Sequence, residues 1–195
     1  MDRNVIKLGM ISFWTGSRVR LRGIEPDDWA AIMRFDVDEA GLGDLLHPPR
    51  SAERFRARVK DQAVADIAGD RFALVVESVE TNVAVGAVAC HDADPNMGWF
   101  EYGVTLAAEH RRKGFGAEAV VMLLSYMFTE RRYHKCEARI LAHKVASLAL
   151  HRRLGFTEEG RLREHVFFGG EHHDLVMMGL LAEEFTGLHT FGSAG

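Results

Sequence analysis

Between Val120 and Phe128 the apolar positions Val120, Leu123, Leu124, Met127 and Phe128 fall at i, i+3, i+4, i+7 and i+8. That spacing predicts an amphipathic helix, with Glu118, Ser125 and Thr129 on its outer face. Strict alternation over Val19-Arg20-Leu21-Arg22 instead predicts a strand, entered through a hairpin-like Phe13–Ser17. Pro26-Asp27-Asp28 starts a short helix with Trp29, Ile32 and Met33 inward. Ser51, with Glu53 behind it, caps a second helix carrying Phe55, Val59, Ala63 and Ile67 at helical spacing. The Gly41–Arg50 stretch between them holds Pro48-Pro49 and cannot be regular helix.

Further on, Phe72–Val79 and Val83–Cys90 read as a hairpin around Glu80-Thr81-Asn82. Asp94-Pro95-Asn96 marks a loop before a strand at Trp99–Leu106. Lys135–Leu141 reads as a strand and Ala146–Leu154 as a helix stopped by Gly155. Strands around Arg161–Phe168 and His173–Leu180 flank a Gly169-Gly170 turn. The resulting order, β-α-α-β-β-β-α-β-α-β-β, is that of one mixed α/β domain of the α+β type. It spans residues 17–185, with an N-terminal extension over 1–16 and a Gly/Ser-containing, loose tail over 186–195.

Composition narrows the function classes. A net charge of −4 argues against non-specific nucleic-acid binding, which rests on neutralising phosphates. No apolar stretch has the length of a membrane span and no secretory signal is visible, so the expectation is a cytoplasmic protein. The two cysteines, Cys90 and Cys136, lie in apolar strand-like runs and read as buried free thiols.

The chemistry concentrates in Val104–Ala119. A strand ending in Val104-Thr105-Leu106 runs into Arg111-Arg112-Lys113, then Gly114-Phe115-Gly116-Ala117, then the amphipathic helix. Amides of a first helical turn, at the positive end of the dipole, make an anion site. Gly114 and Gly116 let backbone approach a ligand without a Cβ between them, and three basic residues add charge at the rim. The arrangement suits a pyrophosphate. It lacks the Lys-Ser/Thr of a nucleoside-triphosphate loop and the third glycine of a dinucleotide fingerprint.

Arg111, Gly114 and Gly116 match the Arg/Gln-x-x-Gly-x-Gly/Ala signature that the stretch resembles, that of the GNAT acetyltransferases. The resemblance continues through Arg18–Asp28, Tyr126–Ile140 and Ser147–Phe156, which ends in Leu154-Gly155-Phe156. Val19-Arg20-Leu21-Arg22, Tyr133-His134-Lys135 and Glu159–Arg163 look like the branch with ribosomal-protein N-terminal and spermidine acetyltransferases. It implies a GNAT fold: a twisted, mostly antiparallel sheet with helices on both faces. It also implies acetyl-CoA as co-substrate and direct acetyl transfer to a primary amine, either a protein N-terminus or a small amine such as a polyamine. In that family the strand before the signature splays from its neighbour, and backbone around Val104, Thr105 and Leu106 pairs with pantetheine. A homodimer is common among relatives, and no residue here fixes the oligomeric state.

For an alkyl amine of pKa roughly 10.4 a base must remove a proton before attack. Relatives carry an acidic residue in this strand, which makes Glu101 the candidate; its other reading is an ion-pair partner of a nearby arginine. Relatives place a tyrosine acid four residues before the Gly of Leu-Gly-Phe, where this chain has His151. His151 shares a helix face with Ser147, Leu150 and Leu154 and is the candidate acid or thiolate hydrogen-bond donor. Lys144 stands where relatives have an asparagine; it offers charge to a phosphate but accepts no hydrogen bond. Ser147 is a further polar contact for the cofactor. His172 and His173 point to opposite strand faces, so with His165 they make a poor metal site. With His91, Asp92 and Tyr102 they edge the acceptor cleft or are ordinary surface residues. The replaced tyrosine keeps two alternatives open, a CoA-binding sensor without catalysis and a transferase of longer acyl groups such as succinyl.

Overall fold

The computed structural model describes residues 12–36, 48–64 and 69–189 of the 195-residue chain. Expectations for residues 1–11, 41–47, 67 and 190–195 lie outside the described residues. Seven strands form one sheet in the order β1-β2-β3-β4-β5-β7-β6. They are β1 (Val19–Arg22), β2 (Phe72–Ser78), β3 (Ala84–Asp94), β4 (Trp99–Leu106), β5 (Lys135–Leu141), β6 (Thr157–Phe168) and β7 (Glu171–Leu181). Only the β4–β5 neighbours run parallel; the other pairs are antiparallel. Among the described residues the α-helices are α1 (Trp29–Asp36), α2 (Ala52–Val64), α3 (Phe115–Thr129), α4 (Val145–Leu154) and α5 (Ala182–Leu188).

Strand alternation sends two sets of side chains to opposite sides. Val19, Leu21, Leu74, Val76, Phe100, Tyr102, Cys136, Met178 and Leu180 join α3, α4 and α5 in the main core. On the other side α1 packs on β3 and on α2, where Phe35, Phe55 and Val59 are buried. The hairpin-like entry forms through bridges Ser12–Thr15 and Thr15–Arg20. Ser51 caps α2 by accepting the Arg54 amide at 3.2 Å. Gly155 ends α4 at φ +102°, a conformation glycine adopts without Cβ strain.

Two expectations are corrected. Glu118 and Ser125 are not on an outer face: they are 2% and 0% exposed, because α3 is covered on both sides. The Glu118 carboxylate accepts the amides of Ser17, Arg18 and Val19 at 2.7, 2.9 and 3.2 Å and the Ser17 hydroxyl at 2.8 Å. Ser125 folds its hydroxyl back onto the Val121 carbonyl at 2.6 Å. The strand order also continues into a helix, α5, whose Phe185 is fully buried against the core. Gly187 lies in that helix.

Candidate active site

β4 and β5 pair over three positions, Trp99–Lys135, Phe100–Cys136 and Glu101–Glu137. Beyond Glu101 they part: β4 stays with β3 as far as Leu106–Gly86, and β5 stays with β7 as far as Leu141–Leu175. The facing edges of Gly103–Leu106 and Ala138–Leu141 therefore form a wedge. Peptide groups on those edges offer hydrogen bonds to an extended ligand.

The wedge opens onto the turn before α3. Arg111 reaches back so that its Nε donates to the Leu106 carbonyl at 3.1 Å. Arg112 has φ +59° and Gly114, the N-cap, φ +84°, which turns the chain sharply into the helix. Arg18 Nη1 donates to the Lys113 carbonyl at 2.9 Å and pins the turn from outside. The first amide bonded within α3 is that of Glu118, to Gly114 O at 3.1 Å. Those of Phe115, Gly116 and Ala117 thus point out of the helix end. Gly116 is buried against the Leu106 side chain, where a Cβ would come within 3.2 Å. Arg112 and Lys113 are exposed at the rim. Across the wedge, Lys144 precedes α4, and its ammonium pKa is lowered by burial and by the neighbouring Arg111 charge. Two cations from opposite lips thus converge on one opening.

A family model described as an acetyltransferase (GNAT) domain matches residues 18–157. The chain belongs to the GNAT acetyltransferase family. It is 33% identical over 175 residues, covering 90% of this chain and 96% of the relative, to a SPbeta prophage-derived N-acetyltransferase, YokL, of Bacillus subtilis (strain 168). It is 25% identical over 169 residues, 87% of this chain and 96% of the relative, to the spermidine N(1)-acetyltransferase of Vibrio cholerae. The fold also matches a Vibrio cholerae spermidine N-acetyltransferase solved with CoA and spermine, at a TM-score of 0.75 and 23% identity. That match covers 87% of this chain and 98% of the solved one. The chain is accordingly an N-acetyltransferase with a GNAT fold. Among the described residues no helix is long and apolar enough to cross a membrane.

The two candidate catalytic residues sit on either side of the wedge's closed end. Glu101 belongs to the last β4–β5 pair, and its Oε2 lies 3.1 Å from Arg139 Nε on the sheet face away from α3. The ion-pair reading of Glu101 is therefore present in the structure. His151 is on α4, 4% exposed, with Nδ1 2.8 Å from the Ser147 carbonyl and Nε2 2.8 Å from the Tyr102 hydroxyl. Burial lowers its pKa below the usual imidazole value, opposed by the Ser147 carbonyl. Ser147 thus meets His151 through its backbone carbonyl. Tyr102, first noted at the acceptor edge, lies inside instead, 4% exposed and against Phe156. Its alternation with Glu101, on a strand about to leave its neighbour, is the signal that marks it. Arg18 and Glu118 had no local signal, since their partners lie 95 to 101 residues away.

His172 and His173 separate as strand alternation requires. His173 stacks on Phe168 with centroids 3.9 Å apart and meets His143, whereas His172 lies against Phe167. Gly103 faces His91, which a Cβ there would strike, so His91 edges the face that carries Glu101. Burial pushes the Cys90 thiol up to about 12 and Cys136 well above its usual value, leaving neither as a nucleophile at neutral pH.

Proposed function

We propose that the chain moves an acetyl group from acetyl-CoA directly to the primary amine of a small cationic molecule or a peptide N-terminus. The observation that carries this reading is the parting of β4 from β5 immediately after Glu101, in line with the Gly114 turn. A pyrophosphate fits the outward amides of Phe115–Ala117 with Arg111, Arg112, Lys113 and Lys144 around it. The pantetheine arm then runs along Val104, Thr105 and Leu106 and brings the thioester to the closed end of the wedge. Direct transfer is supported by the two cysteine thiols, whose pKa values burial raises.

Two protons must move. The first leaves the ammonium to free its lone pair; Glu101, on the open sheet face, takes it through water, with Arg139 holding the carboxylate in place. The second leaves the nitrogen once it has bonded to carbon, while the departing sulfur needs one; His151 is the nearby group for that exchange. Spermidine acetylation by the Vibrio cholerae relative supports a polyamine among the acceptors.

The test is thiol release from acetyl-CoA with spermidine, simple alkyl amines and peptides of free N-terminus, with products weighed by mass spectrometry. Amine-dependent release with acetylated product is expected. CoA binding that no acceptor converts into turnover would establish the sensor alternative. Preference for succinyl-CoA would establish the longer-acyl alternative.

A further inference from the structure

The polarity of the Tyr102–His151–Ser147 chain is fixed by its last member. A carbonyl oxygen cannot donate, so His151 Nδ1 carries the hydrogen that meets Ser147 O at 2.8 Å. In the neutral ring Nε2 is then a lone pair, and the Tyr102 hydroxyl 2.8 Å away donates to it. Both imidazole nitrogens are therefore occupied by partners within the protein. The Tyr102 oxygen keeps its lone pairs, and Tyr102 is the first residue of β4 beyond the last pair with β5.

We infer that Tyr102 touches the reacting nitrogen and sulfur and passes one proton from the first to the second, with His151 holding that proton in between. The inference rests on the transferase reading above. The amine lone pair forms the C–N bond, and the carbonyl π pair moves to oxygen. The nitrogen, now cationic and far more acidic than a free ammonium, gives a proton to Tyr102 Oη as the tyrosine's own proton crosses to His151 Nε2. The imidazolium keeps its Nδ1–H on Ser147 O. The oxyanion pair then re-forms the carbonyl, the C–S bond breaks, and sulfur leaves with its electrons. Tyr102 protonates that sulfur and recovers a proton from Nε2. The products are the N-acetyl amine and the CoA thiol, with both residues restored and no further reactant.

The surroundings suit a neutral resting relay. Burial, with Cys136 of β5 adding to it, raises the Tyr102 phenol well above its usual value and keeps it protonated. Phe156, at the entry to β6, meets the imidazole edge-on with centroids 5.1 Å apart. Among the described residues the titratable groups acting on the pair are thus each other and Cys136, a thiol whose pKa burial also raises. His151 acts through Tyr102, as a positioning and proton-holding residue. A packing pair could share this geometry, but it would carry no proton.

Tyr102→Phe removes the hydroxyl and keeps the ring. His151→Gln can accept from Tyr102 and donate to Ser147 O, yet cannot hold a proton. Each is expected to bind CoA within about threefold of wild type by calorimetry and to lose roughly 10²–10⁴ in kcat. The double variant should lose no more than the worse single, because the two act as one unit. Wild-type kcat should fall on the acid side as His151 protonates, and His151→Gln should lack that limb. Retention of a third of kcat in either single, additive losses, or an acid limb surviving in His151→Gln would each overturn the relay. A nitrogen-15 NMR measurement on wild type needs no variant and no acceptor: it should find the Nδ1–H tautomer, and an Nε2–H tautomer overturns the relay while leaving the transferase reading standing. Failure of wild type to turn over any amine sinks that reading, and the relay with it.

Discussion

Gly114→Ala isolates the turn that precedes α3. The residue sits at φ +84°, where an L side chain costs about 1–2 kcal/mol. Its new Cβ would also lie 2.5 Å from Arg18 Nη1, so that guanidinium must swing away and give up its 2.9 Å bond to the Lys113 carbonyl. Arg18 is a flexible side chain at an exposed contact, so this loss is nearer the low end, about 0.5–1 kcal/mol. The total is about 1.5–3 kcal/mol, and it can appear in two places. If the turn keeps its shape, the fold carries the cost, and Tm drops by roughly 3–12 °C for a domain of this size. If the turn relaxes, the outward amides lose their aim and CoA affinity falls about 10- to 150-fold. Thermal melts and CoA calorimetry on the same preparation measure both. Gly160→Ala serves as the control, since its Cβ would meet no atom within 4 Å and its φ is ordinary. A Gly114→Ala protein that melts within 1 °C of wild type and binds CoA equally well would refute the reasoning.

Other outcomes follow from the buried polar groups. Glu118→Ala strands three amides and a hydroxyl at the start of β1 and should cost about 3–5 kcal/mol in urea unfolding; a loss under about 1 kcal/mol would show that water replaces the carboxylate. Burial alone would raise Glu77 and Asp28, but hydrogen bonds from Arg22, and from Arg20 to Glu77, hold both below their ordinary values. Their stabilisation is full above the ordinary carboxylate range and is lost as pH falls through the lower folded values, so Arg22→Met should flatten the acid limb of a urea-midpoint profile. Burial depresses His151 and His189 too, so stability should already decline as pH drops below about 6.5 toward their folded values. A flat midpoint between pH 7.5 and 5 would contradict their burial as neutral rings. Cys90 and Cys136 should resist a thiol reagent at pH 8 until denaturant is added, and rapid native labelling of either would contradict their raised pKa values.

The order of elements was legible because most of them carry a local signature. β4 and β5 match their expected spans of Trp99–Leu106 and Lys135–Leu141, and Gly155 stops α4 as its φ requires. The turn into α3 at Arg111–Ala117 was equally readable, because a glycine-marked helix start is a property of contiguous residues. Glu118 was misplaced for the opposite reason. Its donors come from Ser17–Val19, and a period of 3.6 cannot announce a strand that returns from about 100 residues away. α5 was missed although Ala182-Glu183-Glu184 offers an acidic first turn, because the β7 run beside it stays apolar to Leu181. His151 was recognised by position, but its bond to Tyr102 depends on how α4 crosses β4, which no spacing reports.

The most direct test of the central claim is a crystal structure of the protein with CoA and an unreactive amine. The pyrophosphate is expected on the amides of Phe115–Ala117 between Arg111 and Lys144. The pantetheine arm is expected to pair with the edge of Val104–Leu106, with the sulfur within hydrogen-bonding reach of Tyr102 Oη. CoA bound with its thiol outside the β4–β5 wedge, or a closed wedge with β4 paired to β5 through Leu106, would contradict it.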